Sequence, residues 1–140
     1  MAAIPAGRCT RRGVFALASL SLAGAASLLH AQAANPFIGN WQATFRVATN
    51  TGLMDERQAD IVITPTGGTW HAKAQSRQDP CAGKEVPLVI DEVTDAKLTA
   101  TVRYSTLADF CKDGKLVLQR DADGKVTGQR GRWALTLERR

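Results

Sequence analysis

The sequence predicts an all-β fold: a single small antiparallel β-barrel or sandwich of about seven or eight strands, with one disulfide and a cleaved signal peptide in front. Three observations predict it. Apolar residues recur at every second position in several short runs, turn residues recur about every ten residues, and two cysteines remain once an export leader is set aside.

The leader occupies residues 1 to 33 and the folded domain residues 34 to 140. Arg8, Arg11 and Arg12 form a basic start, residues 14 to 29 an apolar run of 16, and Ala31-Gln32-Ala33 a small-residue cleavage site before Ala34. The run is short of the roughly 20 apolar residues that span a bilayer, so no integral membrane segment is expected in the mature chain. Arg11 and Arg12, within Thr10-Arg11-Arg12-Gly13-Val14-Phe15, also fit the twin-arginine export pattern, and a plain secretory signal fits as well. Either route places the protein in the periplasm or outside the cell.

Removing the leader changes the charge. The chain carries 18 Lys and Arg against 13 Asp and Glu, for a formal +5; three of the arginines lie in the leader, leaving 15 against 13, near +2. The remaining cations are spread evenly, so nucleic acid is excluded as a partner. The 107 residues left after 33 of the 140 are removed suit one domain with a modest core.

Cys9 leaves with the leader, and Cys81 and Cys111 remain. In an exported chain an even pair reads as a disulfide, and closing a loop of about 30 residues contributes roughly 3 to 4 kcal/mol in the chain-entropy model. No Cys-x-x-Cys is present, and His71 is the one histidine of the mature chain, so no metal site or cofactor is expected.

In chain order, Trp41, Ala43, Phe45 and Val47 alternate with Gln42, Thr44 and Arg46 as a first strand, and Thr49-Asn50-Thr51-Gly52 turns. Leu53 to Arg57 reads as an irregular link or one helical turn. Gln58 to Thr64 is a second strand, Thr66-Gly67-Gly68-Thr69 a tight reversal, and Trp70, Ala72 and Ala74 the inward side of a third. Residues 76 to 84 form a loop around Cys81. Val86 to Val93 is a strand in which Pro87 must lie at an edge or among the first residues. Leu98, Ala100, Val102 and Tyr104 alternate next, and Leu107 and Phe110 are spaced for a helical turn beside Cys111. A meander of three strands follows, through Leu116 and Leu118, Val126 to Gln129, and Trp133, Leu135 and Leu137.

Gly39-Asn40-Trp41 on the first strand, with Gly131-Arg132-Trp133 on the last, resembles the lipocalin and avidin-like small barrels. The resemblance implies that the Gly-x-Trp closes one barrel end. It also implies that a late arginine, Arg130 or Arg132, packs across that tryptophan. Ligand residues in such barrels are not fixed by motif, so the ligand-binding residues stay unknown at this stage.

Catalytic chemistry finds no support. His71 is the first candidate for a general base, but it lies on a polar strand face with no nucleophile implied beside it. Asp91 and Glu92 are strand neighbours and point to opposite faces. Asp121-x-Asp123-Gly124 matches the start of a calcium loop, yet Arg130 stands where that loop needs a Glu, and the stretch suits a hairpin turn. Two functions follow as expectations: a binding barrel for a small apolar ligand, or an interaction module for another envelope or secreted protein, such as a hydrolase inhibitor. A cavity distinguishes them, since a closed core of Trp41, Phe45, Tyr104 and Trp133 leaves only the outer surface.

Overall fold

A computed structural model describes residues 35–73 and 79–140. The expected leader, with Arg11, Arg12, Ala31, Ala33 and Ala34, lies outside the described residues, as does Ala74. Eight antiparallel strands run in sequence order around a closed barrel: β1 (Gly39–Ala48), β2 (Met54–Thr64), β3 (Gly67–Ala72), β4 (Glu85–Val93), β5 (Lys97–Val102), β6 (Gly114–Arg120), β7 (Val126–Arg130) and β8 (Trp133–Arg139). Closure leaves no free sheet edge along the β1–β8 seam where Trp41–Thr44 pairs with Arg139–Thr136.

Alternation sets what faces in. Trp41, Ala43 and Phe45 from β1, Ala59, Ile61 and Ile63 from β2, and Leu98, Ala100 and Val102 from β5 are all buried, as are Leu116 and Leu118 from β6 and Leu135 and Leu137 from β8. An eight-stranded barrel is just wide enough for side chains to fill it. No polar or charged residue is fully buried among the described residues.

The two ends of the barrel differ. At the base, where β1 begins, the Asn35 side chain accepts a hydrogen bond from Phe37 N–H (3.0 Å) and the chain turns, so that Phe37 is sealed from solvent. Trp41 Nε1 donates to the Phe37 carbonyl at 2.8 Å. Arg139 lies 4.5 Å from the centroid of the Trp41 ring and donates to the carbonyls of Ile38 (3.1 Å) and Pro36 (2.9 Å). The arginine across Trp41 is therefore Arg139, not Arg130 or Arg132. The reason is directional: β7 and β8 meet at the opposite end, so Arg130 and Arg132 sit a barrel length from Trp41, and only the end of β8 returns to it. Gly39, at φ 136°, would place a Cβ 3.0 Å from the Arg139 guanidinium, so its missing side chain is what lets the arginine close in.

The other end is the mouth, formed by the β1–β2, β3–β4, β5–β6 and β7–β8 connections. Cys81 and Cys111 are disulfide-bonded there, with Cα atoms 5.7 Å apart, tying the third and fifth connections of the chain together. The ladder between β1 and β8 stops at Thr44 and Thr136 before reaching this end.

Four local expectations are corrected. Met54 to Arg57 is neither link nor helical turn but the start of β2, held by pairing of Ala48–Phe45 with Met54–Arg57. The reversal falls on Pro65 and Thr66, which frees Gly67 and Gly68 to pair in β3; a Cβ on Gly68 would lie 2.0 Å from the Val62 carbonyl oxygen. The helical turn near Cys111 is a 3₁₀ turn at Tyr104–Thr106. Trp133 is half-buried rather than in the core, and His71, on its polar strand face, is half-buried as well. Pro87 is the third residue of β4; its carbonyl accepts from Arg103 N–H at 2.9 Å and it has no N–H to return, which is where β5 leaves the ladder.

Candidate functional site

The inward face of the barrel is apolar at the base and mixed at the mouth. Arg57 on β2 and Arg130 on β7 share the parity of Ala59, Ile61 and Val126, so both guanidinium groups turn inward at the open end. There they line a pocket of about 210 Å³ with Phe45, Val47, Ala72, Tyr104 and Trp133. Lys73, Asp79, Cys81, Ala82 and Lys112 complete its rim.

Arg130 sits inside an aromatic box. Its guanidinium carbon is 5.1 Å from the Trp70 ring, 5.0 Å from Tyr104 and 5.6 Å from Trp133. Each ring face attracts the cation, and burial strengthens such contacts to about 2 kcal/mol or more. Trp70 Nε1 donates to Tyr104 Oη at 2.8 Å, which fixes two walls, and Phe45 bridges Trp70 (6.3 Å) and Trp133 (6.0 Å) as the third side. Burial pushes the Arg130 guanidinium below its ordinary value, because the charged form loses water, with the nearby Tyr104 opposing that shift.

Both arginines carry an unmet donor. The Nε atoms of Arg57 and Arg130 are buried with no hydrogen-bond acceptor. Arg57 Nε has a carboxylate oxygen of Asp55 at 3.6 Å, too long for a hydrogen bond, and Arg130 forms no ion pair among the described residues. A buried donor left unsatisfied costs about 1–3 kcal/mol, more when charged.

The other singled-out residues lie elsewhere. His71 stands on the outer face of β3, opposite Asp60 and Glu85, and does not line the pocket. Asp91 is the extra residue of a bulge between Ile90 and Glu92, where it accepts from Thr101 Oγ1 and Lys115 Nζ, each at 2.9 Å. Asp121 spends one carboxylate oxygen on the N–H groups of Asp123 (3.1 Å) and Lys125 (2.8 Å), the bonding of a hairpin turn, with Gly124 at φ 82°. Among the described residues no three His, Cys, Asp or Glu side chains are placed to hold a metal, and no helix is long and apolar enough to cross a membrane. Arg57 was not singled out from the sequence, and Arg130 was named only as a partner for Trp41, not as a pocket residue. Their signal is a charged residue at an inward position of an alternating strand, hidden while β2 is thought to begin at Gln58 and β7 to end at Gln129.

No protein-family profile matches the chain, and no curated protein or solved structure shows detectable similarity to it.

Proposed function

We propose that this chain is an exported, lipocalin-like binding barrel that takes a small ligand at its mouth. The observation that carries the reading is the pocket of about 210 Å³, walled by Phe45, Tyr104 and Trp133 and open at the end opposite the Phe37 plug. Pockets with apolar walls and a few aimed polar groups are the usual small-molecule sites. The crossing of Arg139 over Trp41 beside Gly39 supports the lipocalin-like reading, and the disulfide supports an oxidising compartment, periplasmic or secreted. Binding is favoured over catalysis because His71 lies outside the pocket.

One observation favours a second reading, an interaction module for another envelope or secreted protein. Leu53, Met54 and Phe110 are 71%, 57% and 65% exposed, and all three belong to the mouth end. Purification of the protein from its own cell extract, followed by mass spectrometry of what denaturation releases, separates the two. The ligand reading expects a small molecule that is lost from an Ala72→Phe variant, whose added ring fills the pocket. A macromolecule retained by that variant and lost on Phe110→Ser supports the second reading instead.

A further inference from the structure

The pocket has a sign and a size, and together they define a ligand class. Among the described residues that line it, Arg57, Lys73, Lys112 and Arg130 are cations and Asp79 is an acid. Asp79 is already engaged, accepting from Cys81 N–H at 2.9 Å. Lys73 donates to Gln58 Oε1 at 3.3 Å, and Arg57 has Asp55 at 3.6 Å. Arg130 has rings on three sides and no ion pair among the described residues, and the two buried Nε donors of Arg57 and Arg130 belong to this one pocket. An acceptor arriving in the pocket would meet charge-assisted donors that are otherwise unmet.

Size sets the rest of the molecule. A dry protein cavity of about 150 Å³ holds benzene, so about 210 Å³ has room for one ring and a small head group. Phe45 and Trp133, 6.0 Å apart and tilted by 30°, offer an aromatic wall for that ring. Building on the reading of the mouth as a ligand site, we propose that the pocket selects a single-ring aromatic anion. The anionic head lies against Arg130 and Arg57 and the ring against Phe45 and Trp133.

Calorimetry on the purified protein at neutral pH tests this with three probes: benzoate, its neutral isostere benzamide, and acetate. Benzoate is expected to bind about tenfold or more tighter than either, since the loss of a charge-assisted partner or of the ring each removes that much. Arg130→Gln should abolish the preference for benzoate over benzamide while leaving the near-ultraviolet dichroism of the aromatic box in place. The three-probe series on the unaltered protein decides the matter if that variant does not fold. Equal affinity for benzoate and benzamide overturns the anion while leaving the mouth as a ligand site. Equal affinity for acetate and benzoate overturns the ring. Absence of binding by both aromatic probes, with Ala72→Phe changing nothing that co-purifies, overturns the class and the ligand reading together.

Discussion

Arg139 and Arg130 both lie on aromatic rings, but Arg139 also donates to two backbone carbonyls whereas Arg130 keeps a buried Nε without an acceptor. The first arginine holds the base shut, and the second is poorly matched to the folded protein that contains it. Urea unfolding should separate them. Arg139→Met loses a cation–π contact and two hydrogen bonds and should cost about 1–3 kcal/mol. Arg130→Met loses its cation–π contacts but also removes the desolvation cost of a buried charge with an unmet Nε donor, and the two offset to within about 1 kcal/mol of the parent. An Arg130→Met loss as large as that of Arg139→Met would make Arg130 a structural residue. Trp41→Ala empties a site that is 6% exposed and should cost about 3–5 kcal/mol. Trp133→Ala, at the half-buried mouth, should cost clearly less. Equal penalties would place Trp133 in the core after all.

Among the elements, the β5–β6 connection is held by side chains as well as backbone. Asp113 accepts from Ser105 N–H (2.8 Å) and Oγ (3.1 Å) and pairs with Arg103 Nε at 3.0 Å, two residues from the disulfide at Cys111. The Ser105 backbone hydrogen bond is the main reason that the Asp113 carboxyl is held below its ordinary value, and the Lys115 hydrogen bond does the same for Asp91 at the β4 bulge. A carboxyl whose folded pKa is depressed stabilises the protein above its unfolded pKa, and that stability is lost as pH falls through the folded one. Melting temperature should therefore drop below about pH 4, with Asp113→Asn and Asp91→Asn each flattening that drop. A parent acid limb unchanged in both variants would remove these two groups from the account. The Cys81→Ser/Cys111→Ser variant should lose about 2–5 kcal/mol yet remain a barrel, because all eight strand pairs close without the bond.

At the scale of the whole barrel, one end is plugged and the other is chemically equipped. Its strands were legible because alternation of the type Trp41-x-Ala43-x-Phe45 reports a half-buried sheet directly, and the disulfide because Cys81 and Cys111 are the two cysteines outside the expected leader. What alternation does not report is closure. Whether Trp41 and Trp133 share a core or mark opposite ends depends on strand direction around the ring, which no local pattern carries. The start of β2 was hidden because Met54 to Arg57 owes its extended form to pairing with β1 rather than to its own propensity. With that boundary missing, Arg57 read as part of a link, and the cationic side of the pocket went unseen. Amide and indole NMR shifts on titration with benzoate check whether function resides at the mouth. Shifts are expected at Trp70, Trp133, Tyr104 and Phe45 and at the indole N–H groups of Trp70 and Trp133, with the Trp41 indole and the outer face of β3 around His71 unmoved. Shifts centred on Trp41, or spread over the outer strand faces with none at Trp70 and Trp133, would contradict it.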